Sequence, residues 1–184
     1  MNEHDAIACL KKGNVVGLKT LVQTYQVQAV RAAYFITHDK SLAEEVVQDG
    51  FLRVFERIEQ FDETRPFAPW FFRIITNLAI KEAQKENRAV SLNISTADPE
   101  TTLLEQIPDE LPKPEDEIAV QQLQETVRKA LRNLTPQQRA VIVMRYFLDM
   151  SEAEMSHKLE IAPGTVKWHL HAARERLRAL LTAG

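Results

Sequence analysis

The C-terminal third of the chain carries two helix-start signals that leave little choice of fold for the residues after them. Thr135 is followed by Pro136 and then by Gln138. Ser151 is followed three positions later by Glu154. In such a capping box the hydroxyl accepts a hydrogen bond from a free backbone N–H, while the Gln or Glu side chain bonds back. Two successive helices are therefore predicted here.

A third helix is predicted to begin near Pro163, after a tight turn through residues 161–164. Its apolar and basic side chains fall on different faces. The apolar stripe comprises Val166, Leu170, Ala173 and Leu177, and the basic set comprises Lys167, His171, Arg174 and Arg178. This pattern predicts a helix-turn-helix whose last helix reads DNA. An ordinary amphipathic helix with a solvated charged face would show the same pattern.

The net charge of −3 conceals an uneven distribution along the chain. Residues 1–88 carry 12 basic and 12 acidic side chains, residues 89–117 carry one and eight, and residues 118–184 carry ten and six. The middle segment, with a net charge of −7, therefore sets the overall sign. The C-terminal segment, at +4, has the sign that phosphate binding requires.

Helical periodicity precedes the acidic segment. Apolar residues recur at helical spacing over residues 3–35, on both sides of a break at residues 12–14. Ser41 and Glu44 form a third capping box, and the helix that it opens is predicted to run to about Ile58. Gly50 in its middle indicates either the close approach of a neighbour or a tolerated weak spot. The apolar residues of this helix include Leu42, Val46, Leu52, Val54, Phe55 and Ile58.

A loop over residues 61–70, with two prolines, is predicted to expose Thr64 and Arg65 at its tip. The next helix, from Pro69 to about Arg88, begins apolar and becomes basic and polar towards its C-terminus. Basic residues in that position have two explanations, since they either contact DNA or complement the helix dipole.

Residues 89–117 interrupt this pattern with four prolines, eight acidic side chains and few large apolar residues. Such a composition predicts a flexible linker. Its acidity suits either a solvating tether or a mimic of the nucleic-acid backbone. The predicted architecture is all-α: two helical domains, at residues 1–88 and 118–184, are joined by the acidic flexible linker, and the second domain is a helix-turn-helix.

Several functional classes are disfavoured by what the sequence lacks. Cys9 is the only cysteine, and the sequence shows no glycine-rich phosphate loop, nucleophile elbow or metal-ligand pair. We therefore expect no catalytic site, metal site or cofactor. No apolar run approaches the ~20 residues that span a bilayer, and the N-terminus does not resemble a secretory signal. We expect a cytoplasmic protein without direct membrane insertion.

Taken together, the motifs resemble those of bacterial extracytoplasmic-function (ECF) sigma factors. They comprise the run Ser41–Phe55, the pair Phe61-Asp62, the set Phe67, Trp70, Ile74 and Asn77, the run Leu134–Arg139, and Gly164–Lys167 with Arg174 and Leu177. They occur in the family's order and cover nearly the whole chain. The resemblance implies a transcription initiation factor, not an enzyme, whose two domains dock on core RNA polymerase and read promoter DNA.

The resemblance also implies roles for individual residues. The implied core-polymerase contacts are Glu45, Gln48, Asp49 and Arg53. The implied contacts to the minus-ten promoter element, where the loop would capture a flipped base, are Thr64, Arg65, Asn77, Lys81, Lys85 and Arg88. The implied contacts to the minus-thirty-five element, in the major groove, are Thr165, Lys167, Trp168, His169, His171 and Arg174. The linker is implied to thread into the polymerase's nucleic-acid channel, and an anti-sigma protein is the expected inhibitory partner.

The last helix departs from the family at Trp168-His169, where Ser-Arg is usual, and at Ala172, where Arg is usual. Lys81 also stands where an acidic or amide residue is usual, and Gln84 where an Arg is common. We infer a shifted promoter preference and weaker intrinsic DNA binding.

Two other interpretations remain open. The run Thr165–Leu170, after Leu134–Pro136, is also similar to the reader of LuxR-type regulators, which would bind operators on their own as dimers. A helical protein-interaction or sequestering module would make no DNA contact. The helices and aromatic residues of the first 88 positions speak against the ligand or phosphoacceptor domain of a LuxR-type regulator. The +4 charge at residues 118–184 speaks against the interaction module.

Overall fold

A computed structural model describes residues 1–92, 122 and 125–182, with side chains described at 1–86, 122 and 125–181. Within these ranges the regular structure is entirely helical, as predicted. The helices are α1 (Glu3–Lys11), α2 (Val16–Thr37), α3 (Lys40–Arg57), α4 (Phe67–Leu92), α5 (residues 125–132), α6 (Pro136–Tyr146), α7 (Glu152–Leu159) and α8 (Pro163–Thr182), with a 3-10 turn at Ile58–Gln60. None of the helices in these ranges is long and apolar enough to cross a membrane. Most of the predicted linker lies outside the described residues.

Helices α1–α4 enclose an aromatic core. The rings of Phe67 and Phe71 are stacked with centroids 5.8 Å apart, and Phe51 stacks on Phe71 at 4.8 Å. Tyr25 packs against both Phe67 and Phe71 and donates a hydrogen bond to Glu3. Burial, reinforced by the Glu3 carboxylate, raises the pKa of the Tyr25 hydroxyl. Because Phe67 and Phe71 belong to the first turns of α4, this core fixes where α4 starts and where the preceding loop lies.

Two glycines allow helices of this unit to approach closely. A Cβ at Gly50 would stand 2.3 Å from Cδ1 of Ile75 in α4, so the close approach of a neighbour is the correct one of the two explanations that the sequence left open. A Cβ at Gly17 would stand 2.1 Å from the carbonyl oxygen of Ala6, because α1 and α2 almost touch there. The sequence pattern did not single out Gly17.

Helix α3 starts earlier than the sequence predicted. Its N-cap is Asp39, whose Oδ1 accepts a hydrogen bond from the N–H of Leu42 at 2.7 Å, so the predicted capping box at Ser41 is wrong. Asp is at least as good a cap as Ser, and with Asp39 in that position Ser41 lies inside the first turn.

Helix α4 is longer at both ends than the sequence predicted. It begins at Phe67, ahead of Pro69, because a proline is tolerated in a first turn. It continues to Leu92, beyond the predicted end near Arg88, since neither glycine nor proline interrupts that stretch.

Helices α6–α8 form the predicted helix-turn-helix. Both capping boxes are present, at Thr135 with Gln138 and at Ser151 with Glu154. Helix α7 ends at Leu159, and the next residue, Glu160, adopts the left-handed conformation (φ 57°) that turns the chain towards α8. The apolar stripe of α8 is buried as predicted, at Val166, Leu170 and Ala173, with Leu177 partly buried.

The two groups of helices pack against each other through α2 and α4 on one side and α6 and α7 on the other. Phe35 meets Phe147 edge-on at 5.7 Å. The Nε of Arg139 donates to the carbonyl oxygen of Ile36 at 2.6 Å, and its Nη1 donates to that of Leu134 at 3.0 Å. Most of the buried side chains of α1–α4 and α6–α8 belong to one apolar cluster, whereas Ala173 of α8 packs in a second cluster with Leu131 and Leu134.

Candidate functional site

The outward face of α8 carries most of the candidate contacts to the minus-thirty-five element. Among those candidates, Thr165, Lys167, Trp168, His171 and Arg174 are exposed. Lys167, His171 and Arg174 recur at spacings of four and three residues, so they form one stripe along the helix. Trp168 lies to one side of that stripe and is 62% exposed. The row formed by Lys167, His171 and Arg174, called here the outer stripe, is exposed to solvent.

Two of the outer-stripe cations have neighbours within the domain. The Nε of Arg174 donates to the hydroxyl of Tyr146, the last residue of α6, at 2.9 Å. The Nζ of Lys167 lies 3.9 Å from a carboxylate oxygen of Glu152. An exposed ion pair of that length is weak, so Lys167 is readily available to a phosphate.

His169 does not share the outer stripe. It is only partly exposed and faces α4 across a cleft of about 320 Å³. Burial lowers the pKa of its imidazole. Because a helix turns by about 100° per residue, neighbours as close as Trp168 and His169 point in different directions.

The loop at residues 61–66 holds Thr64 and Arg65 in defined, exposed positions. Both the backbone N–H and the hydroxyl of Thr64 donate to Asp62 Oδ1, at 3.0 and 2.7 Å. The Nε of Arg65 lies 3.3 Å from Asp62 Oδ2. The Thr64 hydroxyl bond is the main reason that the pKa of the Asp62 carboxyl is lowered. The Nζ of Lys11 also donates to the carbonyl of Phe61 at 2.9 Å, which ties the loop to α1.

The polar residues of α4 form a second stripe, called here the inner stripe. Asn77, Lys81 and Lys85 are exposed and recur every four residues. Lys85 pairs with Glu82 at 2.7 Å. Arg88 follows Lys85 by three residues, but its side chain lies outside the described residues.

The N-terminal end of the inner stripe faces α7 and α8. The Nδ2 of Asn77 is 3.5 Å from the carbonyl oxygen of Lys158, and the Nζ of Lys158 donates to the carbonyl of Pro69 at 2.7 Å. Arg73 pairs with Glu160 at the end of α7. Asn77 and Lys81 line the same cleft as His169. The structure thus brings one candidate from α8 together with two from α4, and leaves the outer stripe apart.

The candidate polymerase-binding residues lie on the outward face of α3. Glu45, Gln48 and Asp49 are exposed and Arg53 is partly buried. The sequence pattern placed Leu52 and Phe55 with the apolar residues of this helix, yet they are 59% and 42% exposed. The buried positions are Ala43, Val46, Val47, Gly50, Phe51 and Val54. The outward face of α3 therefore combines acidic and amide groups with large exposed apolar side chains.

Comparison with known proteins identifies the family. A family model described as Sigma-70 region 2 matches residues 21–89, and one described as Sigma-70, region 4 matches residues 124–177. The chain is 32% identical over 173 residues to the ECF RNA polymerase sigma factor SigW of Bacillus subtilis, covering 94% of this chain and 92% of that protein. The chain belongs to the ECF sigma factors.

Other relatives and solved structures agree with this assignment. The ECF sigma factor SigL of Mycobacterium tuberculosis is 33% identical over 153 residues, which cover 82% of this chain and 81% of SigL. The structure of CnrH in complex with the cytosolic domain of CnrY superposes with a TM-score of 0.65 at 26% identity, covering 98% of this chain and 97% of CnrH. The sigma factor RpoE of Bartonella quintana, solved with the anti-sigma factor NepR, has the same fold, with a TM-score of 0.67 at 22% identity over 89% of this chain and 96% of RpoE.

As an ECF sigma factor, the chain directs RNA polymerase to promoters. The match of region 2 to residues 21–89 decides against a LuxR-type regulator, because a shared helix-turn-helix would account for the C-terminal helices alone. The same match decides against an interaction module without DNA contact. The family is one of transcription initiation factors, which are not enzymes.

Four features of the ECF sigma factor's surfaces were not predicted from the sequence. They are the turn in which Asp62 accepts hydrogen bonds from Thr64, the bond from Lys11 to the carbonyl of Phe61, the bond between Tyr146 and Arg174, and the exposure of Leu52 and Phe55. The Asp62 turn had a local signal, since Asp followed two residues later by Thr is typical of an Asx turn. The other three depend on contacts between helices, for which the sequence has no local signal.

Proposed function

We propose that this ECF sigma factor reads its promoter with two separate surfaces and binds core polymerase with a third. The domain at residues 1–88 would carry the minus-ten reader and the polymerase-binding helix. The domain at residues 118–184 would carry the minus-thirty-five reader, and residues 89–117 would link them. The observation that carries the proposal is the outer stripe, a row of exposed cationic and imidazole groups on a helix whose opposite face is buried.

The outer stripe suits the major groove of duplex DNA. A helix fits that groove, and Arg or Lys side chains on it can contact guanine O6 and N7 or the flanking phosphates. Trp168 adds an exposed aromatic ring beside the stripe, which suits apolar contact with a thymine methyl group. Thr165, His171 and Arg174 complete the exposed part of the proposed contact set, whereas His169, its remaining member, faces the cleft towards α4.

The loop at residues 61–66 and the inner stripe suit an opened strand. A base that leaves the stack needs pocket contacts to offset the lost stacking. Thr64 and Arg65, held by Asp62, are positioned at an exposed tip to provide them. Asn77, Lys81, Lys85 and Arg88 would follow the strand along α4, where positive charge favours the phosphate backbone.

The outward face of α3 suits a protein partner. Large apolar side chains that remain exposed beside polar ones are typical of binding sites, and a few such anchors usually dominate the affinity. Leu52 and Phe55 are the anchors, and Glu45, Gln48, Asp49 and Arg53 surround them with polar groups. We assign this face to core RNA polymerase.

The two readers must separate when both engage the promoter. The minus-ten and minus-thirty-five elements lie about 25 base pairs apart, which at ~3.4 Å per base pair is ~85 Å. In the packed arrangement Asn77, Lys81 and His169 line a single cleft. The contacts of Arg139, Lys158 and Arg73 across the two groups of helices would therefore break in the promoter complex.

The experiment is transcription by core polymerase reconstituted with the chain and its variants. Arg174→Ala is expected to lower initiation at least about tenfold at promoters that depend on the upstream element. Arg176→Ala, on another face of α8, is the matched control. Leu52→Ala is expected to weaken the complex with core polymerase, with Val27→Ala of α2, a similarly exposed residue, as control. A chain that forms no complex with core polymerase would refute the proposal.

Regulation and location follow from the same proposal. The solved complexes of CnrH with CnrY and of RpoE with NepR support an anti-sigma protein as a further partner. We infer that the chain acts in the cytoplasm, where polymerase and promoter DNA are found, and that it catalyses no reaction itself. An anti-sigma protein that covers the outward face of α3 would compete with core polymerase, which a competition binding assay would detect.

A further inference from the structure

Tyr146 is a large aromatic residue that remains 64% exposed at the end of α6. Its neighbour Phe147 packs edge-on against Phe35 and so contributes to the contact between the two groups of helices. Tyr146 itself meets the side chain of Arg174. Its hydroxyl accepts a hydrogen bond from Arg174 Nε at 2.9 Å, and the guanidinium carbon lies 5.8 Å from its ring centroid. Burial therefore does not explain why a large aromatic residue occupies this position. Its hydrogen bond with Arg174 of the outer stripe offers an explanation.

The bond to Tyr146 leaves the rest of the guanidinium group available. An arginine side chain has five N–H donors, and Nε carries one of them. With Nε held by the Tyr146 hydroxyl, the two terminal amino groups keep the planar fork that matches a pair of acceptors. The Tyr146 hydroxyl also keeps its own proton, which it can donate to a phosphate oxygen.

We propose that Tyr146 is a positioning residue for promoter reading, whose hydroxyl orients Arg174 so that its terminal amino groups face a pair of acceptors on duplex DNA. This inference rests on the proposed function of the outer stripe. Holding Arg174 before binding reduces the rotamer freedom that the side chain loses on the DNA, so the effect is on affinity and base preference. The acceptors are either O6 and N7 of one guanine or two phosphate oxygens.

The test uses holoenzyme reconstituted from core polymerase with the wild-type chain, Tyr146→Phe, Arg174→Ala or both changes. Phenylalanine keeps the exposed ring and removes the hydroxyl alone, so the melting temperature is expected to stay unchanged. Promoter affinity should fall about threefold to tenfold in Tyr146→Phe. The double variant should match Arg174→Ala alone, because the hydroxyl acts through Arg174.

A set of promoters with single-base changes in the upstream element identifies the acceptors. If Arg174 reads a guanine, both single variants lose discrimination at the same base pair. If it contacts phosphates, both lose affinity equally on all sequences and the salt dependence becomes shallower.

Different results would overturn the role of Tyr146 and the proposed function of the outer stripe. A Tyr146→Phe holoenzyme with wild-type affinity and base profile, alongside an impaired Arg174→Ala, would overturn the role of Tyr146 alone. Additive losses in the double variant would also overturn it. An Arg174→Ala holoenzyme as active as wild type would overturn the proposed function of the outer stripe.

Discussion

The outer stripe of α8 and the inner stripe of α4 are built in the same way but differ in their neighbours. Each is a row of polar side chains on a helix whose other face is buried. The outer stripe contacts Tyr146 of α6 and Glu152 of α7, within its own group of helices. The inner stripe begins under the end of α7, where Asn77 meets the carbonyl of Lys158 and Arg73 pairs with Glu160. Helix periodicity therefore defines a polar face, whereas the packing of one group of helices on the other decides which residues that face meets.

Arg139 should provide the strongest of the contacts at the junction between the two groups of helices. Its side chain is 5% exposed and donates to the carbonyls of Ile36 and Leu134. Burial lowers its pKa to about 10, so it remains charged at neutral pH. We expect Arg139→Met to lower the free energy of unfolding by about 3 kcal/mol, because two buried carbonyls lose a charged donor. Urea unfolding measures the loss, and the exposed Arg132→Met should change it by less than about 0.5 kcal/mol. Equal effects of the two variants would mean that Arg139 does not hold the two groups of helices together.

His38 should make the same junction sensitive to acid. Burial, assisted by the nearby charges of Arg139 and Arg132, lowers the pKa of His38 from 6.5 to about 4. Between pH 6.5 and about 4, His38 is therefore protonated in the unfolded chain but neutral in the folded chain. The free energy of unfolding falls as the pH falls through that window. We expect His38 to contribute a loss of about 2 kcal/mol between pH 7 and 4.5.

Replacing His38 with Asn tests that contribution. Asn tolerates the left-handed conformation of this position (φ 60°) and does not titrate. Unfolding of His38→Asn followed across pH 4.5–7 should show a shallower dependence than wild type. The exposed His157→Gln serves as control. A pH dependence unchanged in His38→Asn would contradict the assignment.

Lys158 should contribute less than Arg139, because its ammonium group makes one bond across the junction, to the carbonyl of Pro69 at 2.7 Å. We expect Lys158→Met to lower the free energy of unfolding by about 1 kcal/mol and to leave Asn77 more accessible. Thermal unfolding measures the first effect. Alkylation of a cysteine placed at Asn77, in a chain with Cys9→Ser, measures the second. Lys12→Met, which changes an exposed lysine, should alter neither result.

Lys167 should have the smallest effect, one best seen in the salt dependence of promoter binding. Loss of one phosphate contact lowers the slope of log affinity against log salt by about 1. We expect this from Lys167→Ala in the holoenzyme, and a similar change from Lys81→Ala once the readers have separated. Lys19→Ala is the exposed control on α2. If Lys167→Ala keeps the wild-type slope while Lys81→Ala reduces it, the inner stripe contacts phosphate and Lys167 of the outer stripe does not, contrary to our expectation.

Local patterns predicted much of this fold. The capping boxes at Thr135 and Ser151 and the buried stripe of α8 were readable because capping and periodicity act over a few residues. Ser41 was misread because Asp39, two residues earlier, provides a competing cap. For Gly50 the sequence left two explanations open, and the structure favours a close approach. Gly17 carried no such signal, because its neighbour Ala6 lies across a turn between two helices.

For the candidate sites, the sequence predicts which residues share one face of a helix, but not which residues of neighbouring helices they contact. The outer stripe follows from the spacing of Lys167, His171 and Arg174. The position of His169 in the cleft does not, because that cleft is formed by α4, α6 and α8 together. The exposure of Leu52 on α3 is a further example, since nothing in a single helix says which of its apolar residues will lack a neighbour.

The separation of the two readers is tested most directly by measuring the distance between the two groups of helices before and after promoter binding. Fluorophores on cysteines at the exposed positions Gln26 of α2 and His157 of α7, in a chain with Cys9→Ser, report that distance by energy transfer. We predict high transfer efficiency in the free protein and a loss of most of it when core polymerase and promoter DNA are added, as the readers move towards a separation of ~85 Å. An active promoter complex that retains the transfer efficiency of the free protein would contradict the separation of the two readers.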